Sequence, residues 1–152
     1  MQIQGPENYK LSYTPSQFTV SCADGSNRFS GIAKSRAPKL YIASINGTPI
    51  YVGITKQPMQ QRLRYGWTAN GKSGYHGYAW RRNGAAAELS VWAHSDAIDR
   101  NTREIETVEA EVVFLIRKRT GQWPAFQTEI HFYQSTDRHR EIASQILAHF
   151  AI

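Results

Sequence analysis

The chain has a single cysteine, Cys22. It can form no intramolecular disulfide and no multi-cysteine zinc site, and a reducing, cytoplasmic setting is expected. Long apolar runs are also missing. None approaches the ~18 residues of a membrane-crossing helix, so no membrane association is expected. Met1–Lys10 is polar and lacks a secretory-signal pattern, which leaves the Asn46-Gly-Thr sequon without weight. His94, His139 and His149 are too scattered for metal-ligand spacing, and His131 reads as a strand residue. No repeat or low-complexity tract is present.

The most informative absence is of negative charge. No Asp or Glu occurs between Asp24 and Glu88, a stretch that carries ten of the 18 Lys and Arg. These are Arg28, Lys34, Arg36, Lys39, Lys56, Arg62, Arg64, Lys72, Arg81 and Arg82. The net charge of +6 is therefore +10 in that stretch and −4 elsewhere. Two readings follow from charge alone: a surface facing a polyanion, or a solvated basic face with no partner.

What is present fits one domain of 152 residues with a core, at 41% hydrophobic and 20% charged residues. Residues 1–37 are polar and turn-rich, with Gln17–Cys22 as their one expected strand. Leu40–Ile45 and Ile50–Ile54 flank an Asn-Gly turn and predict a hairpin. A short helix is expected from Lys56 to Tyr65, ended by Gly66, and one helical turn at Tyr78–Arg82. Glu88–His94 alternates as a third strand, and Ile130–Tyr133 reads as a short one. Ile105, Val108, Val112, Leu115 and Ile116 recur at helical spacing within 102–118, capped by Thr102 and stopped by Gly121 and Pro124. A closing helix is expected from Asp137 to Phe150. The expected class is α+β: a small, mostly antiparallel three-stranded sheet flanked by helices. The expected organisation is a single domain, with an N-terminal extension at 1–37, a core at 38–127, and a C-terminal strand and helix at 128–152.

Tyr41 and Tyr51 lie on the paired strands, and Arg62 follows on the next helix. Glu109 and Glu111 sit on the long helix, followed by Pro124-Ala-Phe-Gln127. With Lys39-Leu-Tyr41 as a first motif and Tyr51-Val-Gly53 as a second, this ordered set resembles the GIY-YIG endonuclease family over about residues 38–127. The family includes homing endonucleases, some restriction enzymes and the nuclease of bacterial excision repair. The resemblance implies a DNA endonuclease that hydrolyses phosphodiester bonds with one divalent ion, Mg²⁺ or Mn²⁺ as its substitute. It places Tyr41 and Tyr51 beside the attacking water and Arg62 on the scissile phosphate, whose edge suits a planar guanidinium. It gives the cation to a glutamate. Glu109, with Ile105, Val108, Val112, Val113 and Ile116 at neighbouring helical positions, is the first choice and Glu111 the second. Gly53 is implied as a close approach to phosphate.

The sequence departs from the family pattern at several positions. Lys39 stands where the first motif has Gly, and Gly66 where a His or Tyr often follows the arginine. Gln127 stands for the usual Asn. Tyr65 and His76 are the candidates for a displaced proton relay. The insertion at 66–87 and its approaches interleave Arg64, Lys72, Arg81 and Arg82 with Tyr65, Trp67, Tyr75, Tyr78 and Trp80. Basic and aromatic groups on a Gly-rich loop suit backbone contact and base stacking; the bland alternative is an aromatic minicore. Together with Gly53, Lys56, His76 and Gln127, these bases make up the expected double-stranded DNA contacts, with a homodimer on DNA as one arrangement. Two rival readings are a non-catalytic nucleic-acid-binding module on the same fold, and a domain whose basic face meets an acidic protein.

Overall fold

Asn46 and Gly47 both take positive φ, 52° and 77°. This gives the two-residue turn whose twist matches antiparallel strands, and it closes Ile45 onto Thr48. The hairpin it joins is β3 (Lys39–Ile45) and β4 (Thr48–Thr55). A computed structural model describes all of residues 1–152. Around the hairpin it places β1 (Ile3–Thr14), β2 (Gln17–Cys22), α1 (Met59–Thr68), β5 (Ala86–His94), α2 (Arg103–Thr120) and α3 (Asp137–Leu147). Short 3-10 turns cover Gly31–Lys34, Ala79–Arg82 and Ile98–Arg100. The class is α+β.

The sheet has five strands rather than three, in the order β2-β1-β5-β3-β4, and all four pairings are antiparallel. The two additional strands are β2, expected as a strand but not as part of the sheet, and β1, within a segment expected to be mostly irregular. Tyr9, Leu11 and Tyr13 are buried while Lys10, Ser12 and Thr14 are exposed, which is a period-two pattern. The ladder to β5 shifts register between Gln4 and Glu7, where Gly5 and Pro6 interrupt it. The short strand expected at Ile130–Tyr133 does not form; residues 121–136 contain neither helix nor strand.

Strand β3 lies inside the sheet between β5 and β4, and its residues from Lys39 to Ser44 are all buried. Alternation sends Leu40 and Ile42 to one face and Tyr41 and Ala43 to the other. The first face packs on α2 and α3 through Val108, Val112, Ile142 and Ile146. The second packs on α1 and the 66–87 insertion through Met59, Leu63, Trp67, Tyr78 and Trp80. The β1–β2 hairpin clasps that insertion: Trp67 Nε1 donates to the Thr14 carbonyl at 2.9 Å and Tyr13 Oη to the Asn83 carbonyl at 2.7 Å.

Helix boundaries follow local chemistry. α1 runs past Gly66 to Thr68. α2 ends at Gly121, whose φ of 81° is the left-handed cap expected of glycine. Thr102 makes no capping bond to the backbone and donates instead to Glu106 Oε1 at 2.6 Å. α3 starts with a capping box in which Thr136 and His139 bond each other's backbone N–H. His139 Nε2 also meets Glu104 Oε2 at 3.0 Å, tying α3 to α2. No helix is long and apolar enough to cross a membrane.

Candidate functional site

Tyr41 and Gly53 face each other across the β3–β4 ladder. A Cβ added at Gly53 would lie 2.6 Å from Tyr41 Cζ and 2.8 Å from Tyr51 Cε1. Glycine at this position is what lets two aromatic rings share one face of adjacent strands, with centroids 6.0 Å apart. Gly53→Ala is expected to lower unfolding free energy by about 2 kcal/mol, because the added methyl would overlap two rings that are both buried. Urea denaturation measures this, and an unchanged midpoint would show that the rings yield freely.

Tyr78 arrives from the insertion and completes the cluster. Its hydroxyl and that of Tyr41 lie 2.7 Å apart in the interior. Its ring contacts Tyr51 at 5.4 Å. Burial pushes the phenol pKa of Tyr41 well above its ordinary range, and Tyr78 moves the same way for the same reason. Both work as neutral hydroxyls. Tyr51, 8% exposed, lies at the rim of the buried set. Burial raises its pKa, Arg62 opposes the rise, and the charge of Glu109 adds to it.

Arg62 is half-buried on α1. Its guanidinium lies 4.8 Å from the Tyr78 ring centroid, 5.6 Å from Tyr75 and 6.0 Å from Tyr65. One Nη donates to Tyr75 Oη at 3.1 Å. Burial alone disfavours its charge, but the Tyr41, Tyr78 and Tyr75 phenols shift its pKa upward on balance, so it stays cationic. No carboxylate pairs with it.

Glu109 approaches from α2, the helix on the opposite face. It is 7% exposed, and neither a hydrogen bond nor an ion pair engages its carboxylate. Burial, reinforced by the charge of Glu106, raises its pKa to about 8. Glu111 is half-buried. A buried carboxylate with no cationic partner suits a hard cation that keeps most of its waters, because the ion supplies the missing charge. The protein contributes no cluster of three or more His, Cys, Asp or Glu ligands, so such an ion would be held mainly by water and by this one side chain.

The remaining predicted residues separate into exposed and interior groups. Lys56, Arg64, Lys72, His76 and Arg82 are exposed. Arg81 is not: it is 4% exposed and donates to the carbonyls of Gly66, His76 and Ala69 at 2.6, 3.0 and 3.3 Å. It braces the insertion from inside. Gln127 likewise spends its amide on the fold. Its Oε1 accepts from Val52 N and its Nε2 donates to Val52 O, both at 2.9 Å. Together with Phe126 N bonding the Ile50 carbonyl at 2.9 Å, it covers the outer edge of β4. Lys39 is fully buried, and its Nζ donates to the Ser35 and Ala37 carbonyls at 2.6 and 2.8 Å. Burial lowers its pKa to about 8.

The aromatic insertion divides in the same way. Trp67, Tyr78 and Trp80 form the minicore, with centroids 5.0 to 5.8 Å apart. Tyr65 and Tyr75 stack at 4.8 Å and 13°, and Tyr65 remains 53% exposed beside Arg62. The members that sequence reasoning did not assign to the cluster are Tyr75 and Tyr78. Their signal was the Gly74-Tyr-His-Gly-Tyr78 run following a glycine at position 66. Comparison with protein-family models, curated proteins and solved structures finds no match for this chain.

Proposed function

We propose that the protein is a divalent-metal-dependent DNA endonuclease of GIY-YIG type. The observation that carries the reading is a guanidinium and a buried carboxyl group that bear on one phenol, each without an ion-pair partner. Arg62 and Glu109 both act on Tyr51, yet neither forms an ion pair. A fold that kept these groups only for stability would gain by pairing them. Left apart, they match what phosphodiester hydrolysis requires, namely a cation for the phosphate charge and a carboxylate for a metal.

In this reading Arg62 donates to the non-bridging oxygens of the scissile phosphate, and the surrounding rings fix the plane of its fork. Tyr51 orients the attacking water and relays its proton, its Oη accepting from the water while its own proton leaves to solvent at the partly exposed rim, so no phenolate forms, which burial disfavours. Glu109 would hold Mg²⁺, with Mn²⁺ as a substitute. The ion would supply charge neutralisation at the phosphate and a more acidic water. Tyr41 sits behind this front, its hydroxyl engaged by Tyr78. The exposed Lys56, Arg64, Lys72 and Arg82 contact flanking phosphates, and the exposed Tyr65 face offers a base-stacking surface. Cutting both strands of a duplex with one site per chain calls for two copies on the DNA.

The test is incubation of purified protein with supercoiled plasmid. Nicking that requires Mg²⁺ or Mn²⁺ and stops on chelation is expected. Duplex binding should weaken with salt at a log–log slope of about −4.5, roughly −0.9 for each of Arg62 and the four exposed cations. Metal-independent binding with no cleavage of any DNA would assign the chain to a non-catalytic binding module instead.

A further inference from the structure

Tyr78 touches three members of the cluster at once. Its hydroxyl meets Tyr41, its ring packs on Tyr51, and of the three rings around Arg62 its ring lies nearest the guanidinium. Its placement is coupled to Gly66. A Cβ built at Gly66 would fall 2.1 Å from Tyr78 Cε2, so the ring occupies the volume into which a side chain at position 66 would grow. The backbone secures the arrangement. Tyr78 N and the Arg81 guanidinium both donate to the Gly66 carbonyl, at 3.1 and 2.6 Å. A packing role alone accounts for the ring. It does not account for a buried hydroxyl spent on another tyrosine hydroxyl rather than on a carbonyl, because each of that pair can donate only if the other accepts.

We propose that Tyr78 is a positioning residue of the site, lent by the insertion to fill the space over Gly66, whose hydroxyl directs that of Tyr41 and whose ring sets the plane of Arg62. The inference rests on the nuclease reading. It also gives the 66–87 insertion a role beyond DNA contact, since removing its Tyr78 changes the site without touching substrate.

Two variants separate the parts. Tyr78→Phe keeps the ring and removes the hydroxyl; Tyr78→Leu removes both. Tyr78→Phe should keep its melting temperature within about 3 °C, the size of one lost hydrogen bond. Its kcat on plasmid should fall about tenfold or more with KM within about twofold, and its pH–rate profile should change shape. Tyr78→Leu should also weaken duplex binding measured by fluorescence anisotropy. That added weakening should vanish in an Arg62→Ala background, because the ring acts through Arg62. A Tyr78→Phe enzyme with the wild-type rate and pH profile overturns the proposal, as does a Tyr78→Leu penalty of equal size with and without Arg62. In either case a wild-type protein that cuts leaves the nuclease reading intact. A wild-type protein that cuts no DNA, whether or not it binds duplex, overturns that reading, and this inference with it.

Discussion

Arg62→Ala is expected to reduce single-turnover DNA cleavage about 10²–10³-fold, the usual cost of deleting a preorganised donor to a developing anion. The guanidinium is preorganised by three rings and by one bond to Tyr75, and no carboxylate competes with phosphate for it. Arg62→Lys should recover little of the loss. An ammonium keeps the charge but cannot present a planar fork or stack between phenols. The stability cost should be small by comparison, about 1–2 kcal/mol from the lost cation–π contacts. Rapid-quench cleavage assays alongside urea denaturation resolve the two effects. Near-wild-type cleavage by the alanine variant would remove Arg62 from the site.

Glu109→Gln should abolish metal-dependent cleavage, and it should also change stability in a direction that depends on pH. Burial raises the Glu109 pKa from the ordinary 4.5 to about 8. Between those values the folded protein keeps a proton that the unfolded chain has released. Without a bound ion, stability therefore falls as pH rises through that window, and the loss is complete above pH 8. Glutamine removes the carboxylate and with it this fall, so the variant should be the more stable protein at pH 8.5 by on the order of 2–4 kcal/mol. Mg²⁺ should reverse the comparison. The ion binds the ionised carboxylate, so the Mg²⁺-induced rise in wild-type melting temperature should grow from pH 6 to pH 8.5. It should be absent from Glu109→Gln. Calorimetric scans at both pH values, with and without Mg²⁺, give all four numbers. An equal Mg²⁺ response in the variant would move the cation elsewhere, with Glu111 the next acid to replace.

Much of the architecture was legible in the chain. Asn46-Gly47 specified the β3–β4 hairpin because few other residues accept positive φ at both turn positions. The five apolar positions from Ile105 to Ile116 specified α2, and Gly121 its end. The alternation at Glu88–His94 specified β5. Strand β1 was readable as well, since Tyr9, Leu11 and Tyr13 alternate with polar residues, but Gly5 and Pro6 and the polar average of residues 1–37 obscured it. Ile130–Tyr133 shows the opposite error. Its composition favours a strand, but the edge of β4 is already covered by Phe126 and Gln127, so no ladder is open to it there.

For the candidate site, Tyr41, Tyr51, Arg62 and Glu109 were nominated by the resemblance of the ordered motifs to the GIY-YIG family, because each residue taken alone reads as an ordinary strand or helix side chain. Sequence alone was enough to show that the absence of acid between Asp24 and Glu88 leaves Arg62 no carboxylate neighbour within that stretch. Tertiary structure decided the rest. Arg81 and Gln127 look like surface groups in sequence, but backbone carbonyls draw Arg81 inside and the open edge of β4 engages the half-buried Gln127. The place over Gly66 is filled by Tyr78, twelve positions further along. Such choices depend on which chain segments meet in space, and a loop's closure sets that, while local propensity does not.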